Sequence, residues 1–106
     1  MHVISKKAIT DFCKRNKRKD ASATKAAMLA WHVEAKAARW MMWADVKARY
    51  PSADLLRNGR VVFNIRGNNY RIVTKLKFAT KTNQGRVFIR FVGTHGDYDK
   101  INAEEV

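Results

Sequence analysis

Apolar residues in the first half of the chain recur at helical spacing. Residues 1–4 are predicted to form a short strand, and Ile9, Phe12 and Cys13 then fall on one face of a first helix. Ser5 is the candidate N-cap of that helix. Cys13 is the only cysteine, and its position on the apolar face predicts a buried, unreactive thiol.

A second and longer helix is predicted from about Ser22 to Ala44. Its buried stripe is expected to consist of residues three or four apart, namely Ala26, Leu29, Val33, Ala37 and Trp40. Further apolar residues widen this surface, partly as core and partly as a docking surface for a partner: Met28, Trp31, Met41, Met42 and Trp43. One more helical turn is predicted over 45–50. It is expected to end there because the residue before Pro51 is disfavoured in the α region. Residues 52–59 are predicted to form a loop with a turn at Asn58 and Gly59.

From Arg60 onward the apolar period becomes two, which is typical of strands. Strands are predicted over 61–65, 70–78 and 86–94, joined by a tight connection and a polar loop. The order β-α-α-β-β-β predicts an α+β fold in which two helices pack on one face of an antiparallel sheet. The length suits a single domain over 1–106.

The net charge changes this picture more than any other property. There are 22 Lys and Arg residues against 9 Asp and Glu, which gives +13. Such a charge favours an anionic partner, and nucleic acid fits better than a membrane surface, which normally requires an amphipathic anchor. The chain contains no apolar run of membrane-spanning length, no apolar signal segment and no metal-ligand spacing. We therefore expect a cytoplasmic protein that binds no membrane and needs no metal or other cofactor.

One basic run follows the first helix. Five of the six residues 14–19 are cationic: Lys14, Arg15, Lys17, Arg18 and Lys19. The run fits a solvated helix C-terminus, where the helix dipole favours cations, and it fits a phosphate-binding surface for RNA equally well.

A second group of cations lies on the predicted strands. Strict alternation places Arg71, Lys75 and Lys77 on one face of the middle strand. In the last strand it places Val87, Ile89, Phe91 and Gly93 on one face, and Arg86, Phe88, Arg90, Val92 and Thr94 on the other. Residues 61–96 contain seven basic residues and no acidic one. Like charges opposite each other destabilise strand pairing, so this pattern favours a polyanion site over an ordinary solvated face.

The residues that follow the last strand add candidate chemistry. His95 and Tyr98 set an imidazole and a phenol at the end of the cationic face. A histidine alone is usually only solvated, but one beside Arg71 and Arg90 is a candidate for proton transfer.

These residues also carry a resemblance to a known family. Segments 62–65 (VFNI), 67–71 (GNNYR), 89–95 (IRFVGTH) and 97–99 (DYD) resemble HigB-type messenger RNA interferases. Segments 1–5, 43–47, 52–54 and 58–60 look like the same family, so the resemblance covers nearly the whole chain. Arg66 stands where many relatives carry a small residue.

The resemblance implies a RelE-like fold, ribosome-dependent cleavage of messenger RNA in the ribosomal A site, and a helix-turn-helix antitoxin of the HigA type. By position, Arg71 and Arg90 resemble the phosphate-binding arginines of the family. His95 and Tyr98 resemble the residues that act on the RNA or stack against it. Asn64 resembles a supporting polar residue, and we expect Lys75, Lys77 and Arg86 to contact RNA as well.

Cleavage without a metal requires a group that accepts the proton of the 2′-hydroxyl and a group that stabilises the phosphorane. The two arginines suit the second task and His95 the first. Stacking suits Tyr98 better than acid–base work, because a free phenol has a pKa near 10. Three alternatives remain at this point: a non-catalytic RNA-binding or ribosome-associated module, a DNA-binding regulator, and a degenerate toxin.

Overall fold

The structure is a computed structural model that describes residues 1–106. It contains four helices and five strands, and the predicted α+β class is confirmed. In chain order the elements are β1 (His2–Ile4), α1 (Lys6–Arg15), α2 (Ala21–Ala37), α3 (Trp43–Arg49), β2 (Asp54–Leu55), β3 (Arg60–Ile65), β4 (Tyr70–Lys77), β5 (Arg86–Thr94) and α4 (His95–Tyr98). The short elements β2 and α4 were not predicted. None of the helices is long and apolar enough to span a membrane.

The five strands form one sheet in the order β1-β5-β4-β3-β2. All neighbouring strands are antiparallel except β1 and β5, which run parallel, so the sheet is mixed rather than wholly antiparallel. Parallel pairing requires a crossover, and here α1, α2 and α3 lie in the crossover between β1 and the rest of the sheet.

The predicted extent of the second helix is wrong. α2 ends at Ala37, and residues 38–42 separate it from α3. Trp40 lies in this segment with 4% of its surface exposed, and its ring stacks on Phe63 with 5.8 Å between centroids. Its carbonyl accepts a hydrogen bond from the Ala79 amide at 2.8 Å. The interruption therefore lets Trp40 enter the core while its backbone pairs with the chain that follows β4.

The predicted stripe on this helix is only partly correct: Trp40 is buried and Leu29 packs against the core, but Ala26, Val33 and Ala37 are exposed. The buried residues of α2 are Thr24, Met28, Trp31 and Ala35, whereas Val33 is 65% exposed. Both stripes have helical spacing, so periodicity alone does not separate them. Burial of Trp31 and Met28 removes more apolar area from water than burial of Ala26, Val33 and Ala37 would, and this favours the observed face.

A β-bulge in β5 changes which residues face the helices. Val73 pairs with Phe91 and Thr74 pairs with Ile89, which leaves Arg90 between two paired positions. Beyond the bulge, Val92 belongs to the main core, while Phe91 packs with Val73 on the opposite face. The predicted alternation is therefore wrong after Ile89, because one extra residue reverses the faces.

The two faces of the sheet are covered differently. The helices pack on one face over the main core, and we call the opposite one the outer face. The chain after α4 returns over the middle of the outer face, where Ala103 is buried beside Val62 and Val73. Ile101 and Val106 pack against the same small cluster. The outer face is therefore partly covered by the chain's own last residues, which the strand pattern did not predict.

Candidate active site

Strand pairing brings Arg71 and His95 together at one end of the sheet. Arg71 pairs with Gly93 across β4 and β5, and His95 follows the last residue of β5. The His95 amide donates to the Asn69 carbonyl at 2.9 Å, which ties the start of α4 to the β3–β4 turn. Thr94 caps α4 by accepting a hydrogen bond from the Asp97 amide at 3.1 Å.

The Arg71 guanidinium is held in place from several sides. Only 7% of the residue is exposed. Its Nη1 donates to the carbonyls of Asn68 at 2.9 Å and Tyr70 at 3.3 Å, and its Nη2 donates to the Asn68 side-chain oxygen. Nη2 also lies 2.7 Å from His95 Nδ1. A guanidinium fixed in this way has little orientational freedom left to lose when it binds an anion.

This contact assigns the tautomer of His95. A guanidinium can only donate, so Nδ1 must be the acceptor and the remaining ring proton must be on Nε2. His95 Nε2 lies 3.3 Å from Asp99 Oδ2, four residues further along the chain. In this arrangement His95 presents its acceptor nitrogen to Arg71 and its N–H to a carboxylate. Its side chain is 46% exposed, so a substrate can reach it.

Tyr98 packs against the same guanidinium. The Arg71 Cζ lies 5.4 Å from the centroid of the Tyr98 ring, within the range of a cation–π contact. Burial raises the pKa of the Tyr98 phenol, and the neighbouring Arg71 offsets only part of this effect. The phenol is thus protonated at neutral pH, and the ring is half-buried beside the outer-face cluster.

Arg90 lies apart from this group. Its Nε donates to Val106 O at 3.1 Å, and the same oxygen accepts hydrogen bonds from Arg60. Arg90 precedes Gly93, the strand partner of Arg71, by three residues, or roughly 10 Å along the strand. The structure thus brings Arg71, His95 and Tyr98 together, and it places Arg90 further along β5, in a cleft that Arg15 also lines.

Asn64 lies next to Arg71 across β3 and β4. Its side-chain nitrogen donates to the Ser52 carbonyl at 2.9 Å, so the amide holds the chain before β2 in place. No side-chain hydrogen bond joins Asn64 to Arg71 or His95.

The basic run that begins in the last turn of α1 lies at the same end of the sheet as His95. All five of its cations are exposed. The Arg18 guanidinium lies 5.8 Å from the centroid of Tyr70, whose hydroxyl donates to Asp20 Oδ1 at 2.6 Å. Tyr70 directly precedes Arg71 and pairs with Thr94, so Arg18 lies at the end of the sheet where the site is, but on the face that the helices cover.

Lys75, Lys77 and Arg86 lie towards the opposite end of the outer face. Lys77 is six residues beyond Arg71 on β4, or roughly 20 Å. All three side chains are exposed. The sequence correctly grouped them on one face with Arg71, but the chain after α4 crosses the middle of that face between them and His95.

Two residues of the site were missed. Asn68 holds the Arg71 guanidinium, and Asp99 faces His95 Nε2. The spacing of His95 and Asp99 by four residues indicates a contact on one helical turn, and this signal was available in the sequence. No group of three or more His, Cys, Asp or Glu residues comes together in a way that could hold a metal ion.

The helices pack on one face of a mixed sheet, and Arg71 and His95 lie together at its end. This architecture is that of a RelE-like toxin. Residues 24–101 match the HigB_toxin family, described as the RelE-like toxic component of a toxin–antitoxin system. The chain belongs to this HigB toxin family. It is also 27% identical over 103 residues to the mRNA interferase HigB of Escherichia coli O6:H1 (strain CFT073), covering 95% of this chain and 91% of that protein.

Proposed function

We propose that this toxin is an endoribonuclease that cleaves messenger RNA on the ribosome, in the A site, without a metal ion. The contact between Arg71 and His95 carries the proposal, because it joins a fixed cation to an accessible imidazole. The family match and the name of the E. coli relative support it.

In this mechanism Arg71 binds the phosphate to be cleaved. The anionic phosphodiester competes with His95 Nδ1 for the guanidinium, and Nδ1 is released to accept the proton of the 2′-hydroxyl. The 2′-oxygen then forms a bond to phosphorus, while Arg71 stabilises the phosphorane charge. The bond from phosphorus to the 5′-oxygen breaks, and that oxygen takes a proton from the imidazolium or from water. The products are a 2′,3′-cyclic phosphate and a 5′-hydroxyl.

The other residues have supporting roles in this proposal. Asp99 holds the Nε2–H of His95 and so fixes which nitrogen is basic. Tyr98 stacks on a base beside the cleaved bond, since its protonated phenol is a poor base. Arg90 binds a neighbouring phosphate once its contact with Val106 is given up. The exposed cations of residues 14–19 contact ribosomal RNA.

The test is cleavage of a reporter transcript on translating ribosomes, mapped by primer extension. We expect His95→Ala to slow cleavage at least about 100-fold, the lower range for loss of a general base. His32→Ala is the matched control, because this histidine is half-buried on α2 away from the site. Parental cleavage by His95→Ala would refute the proposal. Cleavage is expected to persist in a chelator that removes transition metals but leaves the Mg²⁺ that the ribosome needs, and its loss would refute the metal-free mechanism.

The proposal includes a partner and a location. A helix-turn-helix antitoxin of the HigA type is expected to silence the toxin, and both proteins are expected in the cytoplasm. Co-expression of the neighbouring open reading frame should relieve the growth arrest that the toxin causes.

The second candidate function is a non-catalytic RNA-binding module, which the exposed cations on the outer face favour. RNA binding by the parental protein with no cleavage on any ribosomal substrate would select it.

A further inference from the structure

The outer face carries a second cluster, formed by two adjacent rows of paired residues far from His95. In one row Arg86 pairs with Lys77 on one side and with His2 on the other. In the next row Phe88 lies between Lys75 and Ile4. Paired residues point to the same face, so these side chains form one surface. We call Lys75, Lys77, Arg86 and Phe88 the distal platform.

The cations of the distal platform have no partner within the protein. The ion pairs of the chain join Lys7 to Asp11, Arg49 to Glu34, Arg57 to Glu104 and His95 to Asp99. Lys75, Lys77 and Arg86 belong to none of them and form no side-chain hydrogen bond. By contrast, the other outer-face arginines, Arg60, Arg71 and Arg90, all donate to protein oxygens.

This arrangement is unfavourable for the free protein. Lys77 is directly opposite Arg86, and Lys75 is directly opposite Arg60, so two cross-strand pairs place like charges side by side. Such pairs destabilise a sheet because the like charges repel each other, and an anion bound between them offsets this repulsion. The distal platform is also uncovered, because the helices pack on the other face and the last residues cover only the middle of this one.

An aromatic side chain lies among these cations. Phe88 is half-buried and contributes to neither hydrophobic cluster of the sheet, although its neighbours Val87 and Ile89 pack into the main core. Beside the platform, Lys77 and Arg86 also line a cleft of about 320 Å³ together with Phe78, which is 37% exposed. Aromatic rings with flanking cations on an open sheet are the features that bind single-stranded nucleic acid by base stacking and phosphate contact.

We propose that the distal platform is a second binding surface for single-stranded RNA, in which a base stacks on Phe88 and phosphates bind Lys75, Lys77 and Arg86. The inference rests on the proposed action on RNA, and it adds a contact roughly 20 Å from Arg71. An acidic protein segment would also be attracted by the cations, but it has no planar base to stack on the Phe88 ring. The geometry therefore favours RNA.

The experiment measures fluorescence anisotropy of a labelled, fully 2′-O-methylated oligouridylate, which cannot be cleaved, over a series of salt concentrations. We expect Lys75→Gln/Lys77→Gln to weaken binding roughly tenfold and to lower the salt slope by about 1.4, or 0.7 for each lost phosphate contact on a single strand. Phe88→Leu keeps an apolar side chain and should weaken binding about fivefold or more. Lys25→Gln/Lys36→Gln removes the same charge from exposed positions on α2 and should change affinity less than about twofold, because distant exposed charges are screened.

Equal losses in the two lysine pairs would show a response to net charge alone and would overturn the proposal, as would parental binding by Phe88→Leu. Thermal unfolding of each variant confirms that it is folded, and the lysine changes lie at exposed positions. Platform variants that lose a polyglutamate probe but keep the RNA would also overturn it in favour of a protein partner. The cleavage test with His95→Ala is independent: its failure with the platform results intact would refute the nuclease and leave the RNA surface.

Discussion

Replacement of Arg71 by lysine tests the guanidinium itself, because the charge is retained and only the geometry is lost. Arg71 makes simultaneous contacts with Asn68, Tyr70 and His95, from two different nitrogens. Lysine carries its three donors on one atom and cannot span these acceptors while also facing a phosphate. The contact with the Tyr98 ring is weakened as well.

The magnitude follows from what the substitution removes. Loss of one preorganised donor to a developing oxyanion costs roughly 100- to 1,000-fold in rate, and we expect a loss in this range for Arg71→Lys. Because the residue is 7% exposed, acceptors that are left unpaired near it should cost about 1–3 kcal/mol in the free energy of unfolding. RNA affinity should fall far less than the rate, since the net charge is the same.

The assay is single-turnover cleavage of messenger RNA on stalled ribosomes with the toxin in excess, so that weaker binding does not limit the rate. Urea unfolding of the same preparation gives the stability change. Arg57→Lys is the matched control, because the Arg57 side chain is 90% exposed and its one ion pair, with Glu104, lies at the surface. Near-parental cleavage by Arg71→Lys would show that a point charge is sufficient and that the forked geometry has no role in catalysis.

Three further predictions concern the site and the core. Asp99→Asn should slow cleavage roughly tenfold or more without changing the salt dependence of RNA binding. Asp99→Glu should recover part of the cleavage rate. An unchanged cleavage rate in Asp99→Asn would exclude a positioning role for Asp99. Trp40→Ala should lower the free energy of unfolding by about 3–5 kcal/mol in urea titration. The control Val33→Ala, at an exposed position, should lower it by less than about 1 kcal/mol. Similar losses in the two variants would contradict the observed packing of Trp40. Burial, with the hydrogen bond to Glu34, raises the pKa of the Tyr50 phenol in the folded protein. As the pH rises, the unfolded chain therefore releases this proton before the folded protein does. The free energy of unfolding should then fall as the pH rises above about 10. In Tyr50→Phe, the urea midpoint should fall less steeply as the pH rises above about 10. A fall as steep as in the parental protein would show that other groups cause the pH dependence.

Much of the fold could be predicted from local pattern. The predicted β5 agrees with the structure, and β3 and β4 differ from their predictions by one residue at one end, because alternation over six to nine residues is a strong signal. The turn at Asn58 and Gly59 was also correct, and both residues have positive φ, which asparagine and glycine tolerate best. α2 was placed correctly at its start only, since its end depends on where Trp40 packs.

The candidate site was predicted in part. Arg71, His95 and Tyr98 are together because β4, β5 and α4 follow one another closely in the chain. The position of Arg90 could not be read from alternation, because the bulge shifts the register by one residue within an otherwise regular strand. The partners Asn68 and Asp99 are common polar residues, and only their contacts distinguish them.

The sequence by itself determined the α+β class, the cationic character of the outer face and the residues that can carry the chemistry, because these depend on composition, local periodicity and side-chain type. The tertiary structure alone decided which cations remain unpaired, which face of α2 is buried and how the chain after α4 divides the outer face. Those features come from contacts between segments far apart in the chain, where packing and charge compete over distances that no local pattern records.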